Sequence, residues 1–220
     1  MQKTSPGCGR YPQFDYLVTI PKLNYSETHP NYCYLEILSY KDGNLKLIEP
    51  NLEHAEISLF WTSDSSVIQY MGADFDLPSK EKEIERINEI RENRDEYNWM
   101  IELDGHVIGN VSINGIKETS AKFGSKSGNY TILIGDKKYW GKGIAFQVCL
   151  TVLEWAFAKG GFEVMAARSL NENTASIGML KKIGFEYTGN SPFEGKIDGK
   201  ATEWQNFKIK KQAFELIKAK

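Results

Sequence analysis

From Leu45 onward, apolar positions recur with two periods that alternate along the chain. Leu45-Lys46-Leu47-Ile48-Glu49 alternates every second residue and stops at Pro50, which predicts a strand. Asn51 can cap a helix that carries Ala55, Ile57, Leu59 and Trp61. Ser79 can cap a second helix, in which Ile84, Ile87 and Ile90 recur at near-helical spacing among charges. Apolar runs at 99–103 and 106–111 flank Asp104-Gly105, a dipeptide that favours a two-residue hairpin turn. Residues 118–129 are polar and rich in Gly, Ser and Lys, so a loop is expected before a strand at 130–134.

The second half repeats the alternation. After Gly143, residues Ala145, Val148, Cys149, Val152, Leu153 and Ala156 mark one face of a long amphipathic helix, which Gly160-Gly161 ends. A strand is expected at 162–167. A helix follows from Asn173, with Ile177, Leu180 and Ile183 buried and Gly184 as its stop. Strands at 185–189 and 204–209 surround an Asp198-Gly199 turn. The order is β-α-α-β-β-β-α-β-α-β-β, a mixed α/β (α+β) chain. Residues 1–44 differ: they hold four of the seven prolines, and short apolar runs at 16–20 and 34–38 read as edge strands or docked extended pieces. The expected division is an N-terminal appendage at 1–44, partly ordered, a main domain at 45–215 and a tail at 216–220.

Composition narrows the classes. With 41% hydrophobic and 25% charged residues in 220, the chain reads as a globular domain with a normal core. A net charge of −2 gives no overall attraction to nucleic acid or an anionic membrane, and no apolar run approaches the ~20 residues of a membrane helix. Cys8, Cys33 and Cys149 form no CxxC pair, and His29, His54 and His106 lie in separate segments, so neither a disulfide framework nor a metal centre is expected. The first residues lack the apolar core of a secretory signal, and a reducing cytoplasm is the simplest setting. The expected partner is a small molecule or peptide, and the chain is a monomer or homodimer.

The chemistry concentrates at Tyr130-Thr131-Ile132-Leu133-Ile134-Gly135 and the turn Trp140-Gly141-Lys142-Gly143-Ile144-Ala145-Phe146. A strand running into a glycine-rich turn at a helix N-terminus is suited to phosphate. Unpaired first-turn N–H groups point one way, and the helix dipole adds partial positive charge there. A bare Gly-x-Gly also serves as a tight strand-to-helix connection with no ligand. A second motif, Asn173-Thr174-Ala175-Ser176 followed by Lys182-Ile183-Gly184-Phe185, admits an N-cap and helix-stop reading beside a ligand-binding one.

Together, these two motifs and the element order resemble the GCN5-related N-acetyltransferase (GNAT) superfamily over roughly residues 45–215. The similar branch is that of ribosomal-protein N-terminal and spermidine acetyltransferases, where Tyr-Trp-Gly-Lys-Gly recurs. The resemblance implies a mostly antiparallel mixed sheet splayed between its fourth and fifth strands, and acetyl-CoA as acyl donor without a metal. It implies that the backbone from Gly141 to Phe146, with Trp140 and Lys142 beside it, cradles the pyrophosphate. It further implies that Leu133, Ile134 and Gly135 pair with pantetheine as a peptide adds to a sheet edge, and that Asn173 meets the same arm. Acetyl would pass to a primary amine of a protein N-terminus, polyamine, amino-sugar or antibiotic.

The catalytic positions depart from the family pattern. Leu180 stands where many members carry an acidic tyrosine, and Ala166 replaces a common glutamate. Ser176 matches a serine that can serve as the acid, and equally suits a first-turn serine bonded to the backbone. Tyr130 stands where some relatives carry a glutamate base. It could relay a proton through water, although an ordinary tyrosine pKa near ~10 makes it a poor base. Glu102 and Asp136 are the remaining carboxylates near the expected site, with Glu102 read as part of a solvated face. The acceptor pocket is expected between the first two helices, the 113–128 loop and a loop at 191–200, shaped by Trp61, Tyr70, Trp99 and Trp204. The acidic helix at 80–94 could recruit a polyamine or basic peptide, but reads better as a solvated face. Two other functions stay open: a non-catalytic acyl-CoA-binding module on the same fold, and nucleotide binding, which lacks a Walker or Rossmann motif.

Overall fold

The computed structural model describes residues 22–25, 33–37, 43–71, 79–197 and 199–219. Among them, one sheet of nine strands runs in the order β1-β2-β3-β4-β5-β6-β7-β9-β8. The strands are β1 (Lys22–Tyr25), β2 (Cys33–Ile37), β3 (Leu45–Ile48), β4 (Tyr97–Leu103), β5 (His106–Asn114), β6 (Ser127–Ile134), β7 (Val164–Leu170), β8 (Glu186–Ile197) and β9 (Lys200–Lys210). Every neighbouring pair is antiparallel except β6 with β7. The helices are α1 (Ala55–Thr62), α2 (Ser65–Ile68), α3 (Lys80–Glu92), α4 (Ile116–Phe123), α5 (Ile144–Ala158), α6 (Thr174–Ile183) and α7 (Lys211–Lys218). The mixed, mostly antiparallel sheet flanked by helices matches the expected fold.

Local signals acted where they were strong. Asp104 and Gly105 adopt φ of +51° and +79°, the left-handed pair that a two-residue hairpin needs. Ser79 accepts the Lys82 N–H at 3.2 Å and caps α3. Asn51 accepts the Glu53 N–H at 2.9 Å, while the Asn51 N–H donates to Nδ1 of His54 at 3.1 Å. That box caps a single 3-10 turn, Leu52–His54, ahead of α1.

Several elements differ from expectation. The supposed loop at 118–129 holds α4 and the start of β6. Left-handed glycines bound α4 on both sides, Gly115 at φ +57° and Gly124 at φ +71°. Ile116, buried Thr119 and Phe123 give its inner face, a pattern hidden by the intervening Lys and Ser residues. Helix α2 was not foreseen. The strand expected at 162–167 sits two residues later, and the final hairpin is longer than the apolar runs that marked it. Asp198 of the expected turn lies outside the described residues, and Gly199 has φ +75°. Helix α7 carries the chain through the expected domain end at 215. At the other end, β2 covers most of the run at 34–38 and pairs with β3, so part of the appendage extends the sheet. The run at 16–20 lies outside the described residues.

Alternation along the strands sorts side chains onto two faces. On one, Trp99, Ile101, Val111, Ile113 and Tyr130 pack with α5 and α6 in the main core. Trp155 of α5 meets Tyr97 and Trp99 edge-on, with ring centroids 4.8 and 5.3 Å apart. On the other face, Trp61 of α1 and Val67 of α2 pack on Met100 and Leu133. Glu102 shares that second face and pairs with Lys46 at 3.7 Å. Helix α5 is buried nearly all round instead of on one face. It is covered by the sheet, by α6, and by α7, where Phe157 and Phe214 lie 5.5 Å apart. Even Glu154 is buried, its charge met by Lys218 of α7.

Gly135, at the end of β6, packs flat against Trp61. A β-carbon there would fall 2.1 Å from Cδ2 of that buried ring. Gly135→Ala is therefore expected to destabilise the fold by about 1–3 kcal/mol, read as a lower urea midpoint with an unchanged slope.

Candidate active site

The site begins where β6 and β7 part. They pair at Ser127–Val164, Gly128–Met165 and Asn129–Ala166. Beyond those positions β6 runs on to Ile134 and β7 to Leu170 without pairing to each other. On its other side β6 stays paired with β5 as far as Ile134 opposite Gly109. A bulge then closes that ladder: the N–H groups of Gly135 and Asp136 both donate to the Ile108 carbonyl, at 2.9 and 3.2 Å. In an antiparallel ladder alternate residues direct their backbone groups to opposite sides. With Gly135 bonded toward β5, the backbone of Leu133 also faces β5, while that of Ile132 and Ile134 faces the gap. Of the three residues expected to pair with a pantetheine arm, Ile134 alone presents its backbone there. Gly135 has spent its N–H inside the sheet, and Leu133 contributes only its side chain to the lining. The Ile134 carbonyl accepts from Nε1 of Trp140 at 2.7 Å, so this tryptophan ties the following turn back to the strand.

That turn is built around left-handed glycines. Asp136 caps a 3-10 turn at Lys137–Tyr139, accepting the Lys138 N–H at 3.1 Å. Gly141 and Gly143 then take φ of +71° and +79°, and nothing lies within 4 Å of where their β-carbons would stand. The glycines are thus required by backbone conformation and leave open space beside the main chain. Gly143 is the N-cap of α5 and offers no capping side chain to the first-turn amides. The first α5 bond runs from Gln147 N–H to the Gly143 carbonyl at 3.1 Å. A 15-residue helix therefore presents the positive end of its dipole at this open turn. The ammonium groups of Lys142 and Lys182 lie nearby, 5.4 Å over the Tyr139 ring and 5.0 Å over the Phe146 ring. Lys137 is instead paired with Asp64 at 2.5 Å, which holds that carboxyl down at about 2 and joins the cap of α2 to the turn.

Helix α6 closes the opposite wall. Asn173 is its N-cap, accepting the Ser176 N–H at 3.1 Å, and its Nδ2 has no partner among the described residues. Gly184, at φ +105°, ends the helix, with the Gly184 and Phe185 N–H groups both returning to the Leu180 carbonyl.

Between these walls lies a groove of about 440 Å³, lined by β6 from Ile132 to Ile134, by residues 139–146 apart from Lys142, by α2 and by the start of α6. A smaller cavity of about 170 Å³ adjoins it within the gap, sharing Tyr70, Met71, Ile132, Asn173, Ser176 and Met179. Its remaining lining includes Tyr130, Thr131, Arg168, Ser169 and Trp204. Residues 113–128 line neither space, because α4 packs beside the paired end of β6. The segment expected as a loop at 191–200 belongs to the β8–β9 hairpin, where Phe193 backs Trp204 edge-on at 5.3 Å. Of the four aromatics expected to shape the acceptor pocket, Tyr70 and Trp204 line it, whereas Trp61 and Trp99 are core.

Ser176 lines both spaces. Tyr130 is buried against α5, and its hydroxyl faces Cys149; burial first, and then the neighbouring thiol, push its pKa well above 10. It is thus a proton-bearing group at neutral pH and no base. Neither the Tyr130 hydroxyl nor the buried Ser169 hydroxyl has a conventional hydrogen-bond partner among the described residues. Among the described residues, no Asp, Glu or His lines the smaller cavity. Sequence reasoning missed Ile132, Met71, Arg168 and Ser169. The alternation of β6 marked Ile132 once the bulge was known, but nothing local marked the others.

A family model describing the acetyltransferase (GNAT) domain matches residues 44–186. An uncharacterized N-acetyltransferase, p20, of Bacillus licheniformis is 24% identical over 178 residues, 77% of this chain and 94% of its own. The fold is shared with spermidine N-acetyltransferase of Vibrio cholerae, solved with CoA and spermine, at a TM-score of 0.68 and 17% identity, over 78% of this chain and 98% of that one. RimL, a ribosomal L7/L12 alpha-N-protein acetyltransferase solved with coenzyme A, gives 0.67 at 14% identity over 79% and 97%. The microcin C7 self-immunity acetyltransferase MccE, solved with acetyl-CoA and AMP, gives 0.65 at 16% over 77% and 93%.

Proposed function

Since this chain belongs to the GNAT acetyltransferase family, we propose that it transfers the acetyl group of acetyl-CoA to a primary amine by direct attack, with donor and acceptor bound together. The observation that carries this reading is the continuity of the uncapped α5 N-terminus, the open edge of β6 and the cavity in the gap. Pyrophosphate fits the amides of the 141–146 turn, with Lys142 and Lys182 beside it. The pantetheine arm fits along Ile132 and Ile134, adding to the sheet edge where β7 has moved away. Asn173 offers its Nδ2 to the same arm. The thioester then falls beside Ser176, which lines both cavities. RimL and the spermidine enzyme place coenzyme A complexes on this fold, which supports the assignment. A cytoplasmic setting suits Cys149, a buried free thiol.

Transfer needs a neutral amine, a donor for the developing oxyanion and an acid for the leaving thiolate. Holding both reactants in line supplies much of the rate. Ser176, which lines both cavities, is suited to donate its hydroxyl proton to the thiolate. Tyr130, kept protonated by burial against Cys149, is no base, and the amine loses its proton to water. A glycine turn spent only on chain reversal is the competing reading, and cofactor binding separates the two.

Gly143→Glu puts a carboxylate where phosphate would sit, and also strains a left-handed position. It is expected to abolish acetyl-CoA binding by calorimetry, whereas Gly143→Ala, which bears the strain without the charge, retains measurable binding. Undiminished affinity in Gly143→Glu would sink the cofactor assignment. Ser176→Ala is expected to lower kcat at least tenfold, or about 1.4 kcal/mol, with little change in KM for acetyl-CoA. An unchanged kcat leaves Ser176 as a helix-turn residue. Because the Tyr130 pKa is raised, that group stays protonated from pH 6 to 9 and adds no ionisation there. The acceptor kcat/KM should therefore climb with pH up to the amine's own pKa, about 8 for a peptide α-amine and about 10 for an alkylamine. A plateau beginning near pH 6–7 would reveal an enzyme base instead.

A further inference from the structure

We propose that the acceptor is an amine that also carries an anionic oxygen group, a carboxylate or phosphate, and that Arg168 is the residue that selects it. The inference rests on the acyl-transfer reading above and names the substrate class of the same site. The smaller cavity has two sides, because it lies in the gap between strands. Along β7, Ala167 and Ser169 face the α5 side, and Arg168 faces the opposite side, where α2 lies. Tyr70 and Met71, following α2, line this second mouth together with Thr131, Arg168 and Trp204. An acceptor entering here meets a cation first.

The Arg168 guanidinium lies over the Trp204 ring at 4.5 Å. A guanidinium seated over an indole face keeps its N–H groups available for two parallel bonds to a carboxylate or phosphate. Trp204 is itself held by Phe193 and by its register opposite Leu170, so the platform is part of the sheet. No carboxylate pairs with Arg168 among the described residues, and its cross-strand neighbour is Asn206, which is neutral. The acidic residues of α3 do not line the cavity: Glu83 is buried against Arg86 at 2.9 Å. A polyamine would bring a second positive charge to a mouth whose described lining residues offer a guanidinium and no carboxylate. An anion on the acceptor satisfies that guanidinium and leaves the amine to reach the thioester beside Ser176.

The test uses matched acceptors: glycylglycine against glycylglycinamide for carboxylate, and phosphoethanolamine against ethanolamine for phosphate, with spermidine as the polycation. Coenzyme A release is followed, and acetyl-CoA affinity is measured separately. The anionic member of at least one pair is expected to exceed its neutral partner about 10- to 100-fold in kcat/KM. Whichever pair shows the preference identifies the anion. Arg168→Gln should bring that ratio close to one through KM for the anionic acceptor, with acetyl-CoA affinity retained, and Arg168→Lys should restore part of it. A merely structural stack would lower all activities together. The proposal is overturned if spermidine is the best acceptor, if neither pair favours its anion, if the ratio survives Arg168→Gln, or if no amine turns over while acetyl-CoA still binds. The wild-type ratios decide it even where a variant fails to fold. Failure to bind acetyl-CoA at all would instead remove the acyl-transfer reading on which it rests.

Discussion

Strands β6 and β7 remain paired for only three positions and then separate, and the rest of the site depends on that separation. Backbone groups in a sheet interior must be satisfied, so a strand edge opened inside a domain is costly unless something else supplies partners. Here one carbonyl of the opened edge, that of Ile134, is met by the Trp140 indole. The remainder faces a groove that a ligand's amides can fill. The bulge at Gly135 and Asp136 turns the end of β6 away from β7, and Trp61 presses on Gly135 from the far side. The gap is therefore held open by packing on the opposite face of the sheet.

The same packing fixes the open N-terminal end of α5. That helix is buried nearly all round, wedged between the sheet, α6 and α7, and cannot shift without breaking the main core. Its N-terminal amides are consequently preorganised, and a ligand there does not have to order them. The left-handed glycines bring the chain to that point without side chains in the way. The Lys137–Asp64 pair ties α2 to the turn, so both walls of the groove share one frame.

The chemistry within the gap is set as much by what the lining withholds as by what it offers. Two buried hydroxyls, an exposed guanidinium and a helix-turn serine meet there, with no carboxylate or imidazole among the described lining residues. Such a lining can orient reactants and donate hydrogen bonds. Burial makes Tyr130 a firm proton holder, opposite to the base-like role that its sequence position suggested.

Caps, hairpin glycines and strand alternation are local, and they were legible in the sequence. Asn173, Gly184, Ser79 and Asp104-Gly105 act as their types dictate, because each needs only its own few neighbours. Strand, glycine turn and helix were likewise visible at 130–146, since the conformations involved belong to the chain itself. Helix α4 was hidden because its apolar residues are few among Lys and Ser, and its burial comes from β6. Which of Leu133, Ile134 and Gly135 turns its backbone to the gap depended on a bulge opposite Ile108, a partner more than twenty residues away. Likewise, Arg168 and Trp204 come together only through the pairing of β7 with β9, and both meet Tyr70 only across the opened sheet. The sequence by itself determined the family fold and the place of the glycine turn ahead of α5, because those rest on short-range backbone preferences. Tertiary structure alone decided the smaller cavity in the gap, because it is assembled from strands and a helix that no local period connects.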